Sequence, residues 1–316
     1  MHIPDGFLDA RTLTLAAGLS AAGIALALWN LRHNLPPRKI PLIGLTAAFV
    51  FAAQMVNFPV AGGTSGHLLG GVLAAVLVGP SAAVVVITAV LIVQAFIFAD
   101  GGVLALGANI FNMALVGTIG GYGIYWIVRR VASGLRGQLM AAAFAAWCSV
   151  VLAASSCAAQ LAFSKTAAWS LVLPTMAGAH MLIGIGEALI TTLVLVAIAR
   201  TRPELLAEPL IVNGKHAFQR LAFGLLIAIG LAVFVSPFAS SKPDGLEHVA
   251  QVQQFEDKAA EKPIVPAPLP NYLLPGIRSP AIATALAGGL GTVLMFGFAF
   301  LLARSVAPKQ GESNNR

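Results

Sequence analysis

Apolar residues run along this chain in long blocks separated by short polar joints. A helix needs about 20 mainly apolar residues to cross a bilayer. The blocks that approach this length are Thr12–Leu31, Ile40–Phe58, Gly66–Gly79, Ser81–Ala99, Val103–Val128, Gln138–Phe163, Leu173–Ala199, Leu221–Phe238 and Ala281–Leu302. They fall as seven, a polar interval, and two more. The third is short and glycine-rich, which predicts a broken or partly inserted helix lining a cavity. The pattern as a whole predicts an all-α fold, a polytopic membrane helix bundle of about seven spans with two further C-terminal spans.

Composition agrees with that pattern. The 316 residues are 58% hydrophobic and 10% charged, whereas soluble domains carry roughly 25% charged residues. The net charge of +7 does not argue for nucleic acid, because the basic residues sit in short loops rather than in one patch or stripe. Cys148 and Cys157 lie nine positions apart in one apolar block. Helical geometry sets them on opposite faces, as two small buried hydrophobes rather than a disulfide or a metal pair.

Charge distribution predicts orientation. With the amino end outside, thirteen of the nineteen Lys and Arg residues fall on the cytoplasmic side; Arg11, Lys165, Lys242, Lys258, Lys262 and Arg278 fall outside, most of them in or beside one long loop. Short loops decide this rule, and among them the bias is nearly complete. The opening "MHIPDGFL" lacks the basic start of a signal peptide. The charged, proline-containing stretch at 201–219 reads as a cytoplasmic linker between a seven-span unit, 1–200, and a two-span unit, 220–316. The outer loop of the second unit has turn chemistry, a short charged helix and a Pro-rich extended piece.

Common enzymatic engines are missing from the sequence. It has no GxxxxGK[ST], so a P-loop ATP site is excluded, and no GxSxG, HExxH or strand-linked GxGxxG. No nucleophile–base pair stands out, and the chain is expected not to be an enzyme.

The amino end offers different chemistry. A terminal amine, the next amide nitrogen and Nδ1 of a residue-two imidazole can all reach one ion. Amine and amide close a five-membered chelate ring, and amide and Nδ1 a six-membered one. This grip requires Met1 to be retained with a free amine; the bulky His2 protects it, and Pro4 fixes the direction in which the chain leaves. Three nitrogens in a plane suit Ni(II), Cu(II) and, less often, Co(II), whereas Zn(II) prefers a tetrahedron. His67, in "NFPVAGGTSGHLLGG" on the same outer side, is the best fourth donor; its alternative role is to cap a helix or bond a neighbouring carbonyl. The octapeptide itself, polar and turn-forming, is expected to add little to helix packing.

Two more polar sets lie inside apolar blocks. His180 and Glu187, seven apart on one helix face, could carry protons or ions, or could serve bundle-interior hydrogen bonding. Asn109 and Asn112, three apart, suit interhelix hydrogen bonding or support of a metal ligand.

"MHIPDGFL", "GGTSGHLLGG", "GANIFNMALVG" and "HMLIGIGEALIT" together resemble the substrate-binding membrane subunit of nickel and cobalt energy-coupling-factor transporters, CbiM or NikM, over about residues 1–199. "PDGLEHVAQ" is similar to the small companion subunit, CbiN or NikN, here fused. The resemblance implies a substrate-specific component of an ATP-driven importer for Ni2+ or Co2+, working with a transmembrane coupling subunit and paired cytoplasmic ATP-binding-cassette ATPases. It matches Met1 and His2 to the family's inserted amino-terminal metal-binding motif and His67 to its second ligand-bearing motif. Asn109 matches a polar motif of unassigned role. The fused part is expected to assist metal loading. The residues leave one rival open, a gradient-driven secondary metal-ion carrier using His180 and Glu187. Between the two ions, a four-nitrogen plane favours nickel.

Overall fold

The computed structural model describes residues 1–206, 217–260, 262 and 264–308. Among these, seven helices are long and apolar enough to cross a membrane: α1 (Ala10–Asn34), α4 (Pro80–Phe98), α5 (Leu106–Val131), α6 (Gly134–Phe163), α7 (Trp169–Thr201), α8 (Leu221–Phe238) and α10 (Pro280–Val306). The two remaining apolar blocks form shorter helices, α2 (Ile40–Gln54) and α3 (Gly71–Val78). A short α9 (Gly245–Val252) lies between α8 and α10. Of the expected linker 201–219, positions 207–216 lie outside the described residues.

Burial separates the helices by role. In α4, 72% of the apolar window is buried, against 17% in α1; α4 is therefore the bundle axis, and α1 presents most of its surface outward. Within α4 and α5 the turns widen at Gln94–Phe98 and Phe111–Gly120, the kind of local distortion that often accompanies functional positions in a helix. The hairpin of α6 and α7 closes one side, with the Trp147 indole donating to the Met181 carbonyl at 2.9 Å.

Helix α10 packs on α2 through small residues, as helices in membranes do. A Cβ added at Gly44 would stand 3.1 Å from the Phe296 carbonyl of α10, and one at Gly291 would stand 2.5 Å from the Phe51 ring.

The third apolar block does not become helical at Gly66. Residues 66–70 stay extended or turned, with Gly70 at φ +78°, and the helix begins at Gly71. The reason is chemical: the Glu187 carboxylate on α7 takes the N–H groups of Leu69 at 2.5 Å and Gly70 at 2.9 Å. Buried donors at the head of α3 are thus satisfied by a side chain from another helix. This holds His67 on a non-helical segment, just after a minimal ladder in which β1 (Phe58–Pro59) pairs antiparallel with β2 (Ser65–Gly66).

Candidate metal centre at the amino end

The octapeptide folds back into the bundle, and its apolar residues are core. Ile3 is fully buried, and Met1, Phe7 and Leu8 nearly so. Burying such side chains is worth about 1.5–3 kcal/mol each relative to water. The expectation of little packing is therefore corrected: the segment's polar letters mark its anchors, and its apolar ones its contact with the core.

Those anchors are specific. The Asn109 side chain pairs with the Ile3 backbone in both directions, accepting its N–H at 2.8 Å and donating to its carbonyl at 3.1 Å. The Gly102 N–H adds a second donor to that carbonyl at 2.9 Å. The Asp5 carboxylate receives the N–H groups of Val103, Leu104 and Ala105 at 2.9–3.1 Å, which sets negative charge at the turn leading into α5. Close approach makes Gly102 obligatory: an added Cβ would stand 2.1 Å from Asp5 Oδ1. On the other side, Gly6 at φ +98° lies against the Lys258 carbonyl, and the Ala260 N–H donates to the Asp5 carbonyl at 2.8 Å.

With the segment fixed, Met1, His2 and His67 come together. The Met1 nitrogen lies 3.0 Å from His67 Nε2. His67 Nδ1 bonds the Leu68 carbonyl at 3.0 Å, so the ring's proton sits on Nδ1 and the Nε2 lone pair faces the amine. The His2 ring stacks on the His67 ring, with centroids 5.2 Å apart and planes 19° from parallel. His2 Nδ1 lies 3.2 Å from Asp100 Oδ1. Burial, more than any neighbouring charge, pushes the His2 imidazolium below its ordinary range, against the pull of Asp100.

Two contacts come from the segment between α8 and α10. The Met1 amine donates to Asp244 Oδ2, while Asp244 Oδ1 accepts from Leu246 and Glu247, and Glu247 returns a bond to the Asp244 N–H. This capping box seats the head of α9 over the site. Burial works against the Asp244 anion, yet the amine and His67 hold its carboxyl well below the usual range. The Tyr272 hydroxyl donates to Asp100 Oδ2 at 2.5 Å, so Asp100 bridges Tyr272 and His2. The loop before α9 docks on the β2 segment, where the Ser65 N–H meets the Pro243 carbonyl at 2.8 Å.

His180 and Glu187 divide. His180 bonds the Met176 carbonyl of its own helix through Nδ1 at 2.8 Å. Its ring borders a small cavity also lined by Met1, His67, Ile183, Asp244 and Gly245. Glu187 is engaged at the head of α3. Asn112 points elsewhere: it exchanges amide hydrogen bonds with Gln160 at 2.9 and 3.0 Å and accepts from Ser156 at 2.6 Å.

Sequence reasoning missed Asp5, Asp100, Asp244 and Tyr272. Asp5 and Asp244 lie inside quoted motifs, but nothing in their spacing says that they meet the amino end. Among the described residues, no three His, Cys, Asp or Glu side chains form a metal-holding group.

Residues 2–205 match the family described as CbiM, cobalt uptake substrate-specific transmembrane region, and residues 218–307 match the PDGLE domain. The chain is 37% identical over 311 residues to the "Putative fused nickel transport protein NikMN" of Archaeoglobus fulgidus, covering 96% of this chain and 98% of that one. It is 36% identical over 222 residues to the fused nickel transport protein NikMN of Rhodobacter capsulatus, covering 66% and 64% respectively. A crystal structure of a truncated transition metal transporter superposes with a TM-score of 0.58 at 31% identity, covering 63% of this chain and 99% of that one.

Proposed function

Since the chain belongs to the CbiM family of nickel and cobalt transport proteins, and is a multi-pass membrane protein, we propose that it is the substrate-specific component of an ATP-driven energy-coupling-factor importer. Its cargo is Ni2+ or Co2+, captured at the amino end. In this reading Met1 is the free terminus. The Met1 amine, the His2 amide nitrogen, His2 Nδ1 and His67 Nε2 supply a planar nitrogen set, which favours nickel. The observation that carries it is the 3.0 Å approach of the Met1 nitrogen to the His67 Nε2 lone pair, beside the stacked His2 ring. Two nitrogens at that distance can be neighbours around one ion.

Loading the site would release protons from amine and amide. It would also require Asp244 to give up the amine and Asp100 to give up His2 Nδ1. The two-span unit, 220–316, thereby takes part in loading, because Asp244 belongs to it and Tyr272 grips Asp100. The seven-span unit, 1–200, carries the ion, and 201–219 links the two. The amino end and the Asp244 loop face outside, with the Arg-rich joints in the cytoplasm, as the charge bias supports. Since the sequence has no P-loop, transport draws on a coupling subunit and cytoplasmic ATP-binding-cassette ATPases. Reconstitution in vesicles tests this: uptake of nickel should require the ATPase pair and ATP. Gradient-driven uptake by this chain alone would replace the reading with the secondary carrier.

A further inference from the structure

Buried polar atoms without hydrogen bonds are few among the described residues, and two of them belong to neighbouring side chains at this site. They are His2 Nε2 and Gln94 Oε1. The Gln94 side chain neighbours both the His2 ring and the Tyr272 hydroxyl, at the widened end of α4; that hydroxyl is already given to Asp100. A buried polar atom left unpaired costs about 1–3 kcal/mol, so two such atoms side by side call for an account.

Donor and acceptor chemistry supplies one. The Leu69 carbonyl can only accept, so Gln54 turns its NH2 toward it, at 3.0 Å. The Gln54 oxygen then takes the Gln94 NH2 at 2.8 Å. This chain fixes both amide orientations and leaves Gln94 Oε1, an acceptor, for His2. On the other side of the ring, the Asp100 carboxylate is also an acceptor and faces Nδ1 at 3.2 Å. A neutral ring has one proton, and the carboxylate claims it for Nδ1. Nε2 is then a bare lone pair beside a carbonyl oxygen, two acceptors with nothing to share.

Binding an ion through Nδ1 reverses this. The Nδ1 proton leaves to solvent, Nε2 takes one up, and the ring stays neutral as the other tautomer. The new Nε2–H has its acceptor in place. Resting on the amino-terminal site of the preceding subsection, we propose that Gln94 is a positioning residue that accepts Nε2–H of His2 and holds the ring with Nδ1 aimed at the ion. Metal-bound imidazoles commonly donate their second nitrogen to such a partner. Gln54 and the Leu69 carbonyl hold Gln94 in turn, so the His67 segment and His2 are tied together by one amide chain. The alternative is that the Gln54–Gln94 pair only joins α2 to α4.

The test uses the purified full chain and nickel(II) chloride in calorimetric titration. Gln94→Met keeps the side chain's length and removes the acceptor. It should weaken nickel binding by about 10–100-fold and, because it also strands the Gln54 oxygen, lower the metal-free melting temperature. A Gln94→Met protein that binds nickel as wild type does, whatever its melting temperature, overturns the inference. A second measurement covers a variant that fails to fold: nitrogen-15 spectra of histidine-labelled wild type. In the diamagnetic nickel-loaded protein, His2 should carry its proton on Nε2, shielded from exchange with water. A bare or freely exchanging Nε2 contradicts the proposal. His2→Ala separates the two levels. If it binds nickel like wild type, the amino-terminal site itself is wrong; if it does not bind while Gln94→Met is unaffected, only the role of Gln94 falls.

Discussion

Asn109 and Asn112 lie three residues apart in α5, yet they belong to two different kinds of polar interior. Around Asn112 the bonding is closed: its amide and that of Gln160 exchange hydrogen bonds, and Ser156 adds a third. Such a cluster ties helices together and leaves none of its polar atoms without a partner. Around Asn109 the bonding is open. Asn109 clamps the Ile3 backbone, and beyond it lie a His67 lone pair bonded to an amine, an unpaired His2 Nε2 and an unpaired His180 Nε2. Glue and chemistry thus use the same residue types a single turn apart. What separates them is whether the polar atoms finish one another.

Mutations can break this contrast or sharpen it. The largest effect is expected from His2→Ala, which should abolish nickel binding in calorimetric titration while leaving a folded protein, because Ile3 and its clamp carry the segment's packing. Wild-type binding in this variant would remove the open cluster from the chemistry. His67→Ala should come next. It deletes one donor of four and should weaken binding by more than the roughly 10–100-fold that outer partners cost, with weak capture by the three remaining nitrogens. Asn109→Ala should follow, freeing the Ile3 N–H and carbonyl. We expect a loss of about 10–100-fold in nickel affinity together with a lower metal-free melting temperature. Asn112→Ala should be the mirror image: about 1–3 kcal/mol of stability lost from stranded partners, measured by thermal melting, with nickel affinity unchanged. If Asn109→Ala and Asn112→Ala alter affinity alike, the distinction between the two clusters fails.

How much of this could be read from the sequence follows from what each feature depends on. The helices were legible because a bilayer demands long apolar runs, and the half-length α3 was legible from its glycines. The meeting of Met1, His2 and His67 was legible because residue-two chelation is local chemistry and the family motifs point to the same residues. The start of α3 was not, since it is set by Glu187 more than a hundred positions away. The burial of Ile3 was hidden for the same reason: the Asn109 amide that completes its backbone bonding comes from another helix. Asp244 stood in a quoted motif that read as turn chemistry before a short charged helix and nothing more. Its bond to the Met1 amine spans 243 positions, and no local pattern encodes such a pairing.

The central claim is that the Met1 amine is itself a ligand, and lengthening the chain by one residue before Met1 tests it most directly. His2, Pro4, His67 and every other side chain survive that change, but the amine leaves its chelate ring. Nickel uptake and binding should be lost in the extended protein at matched membrane levels, and retained when the same residue is added after Arg316. Full nickel binding by the extended protein would contradict the account, because a site made of side chains alone is indifferent to where the backbone begins.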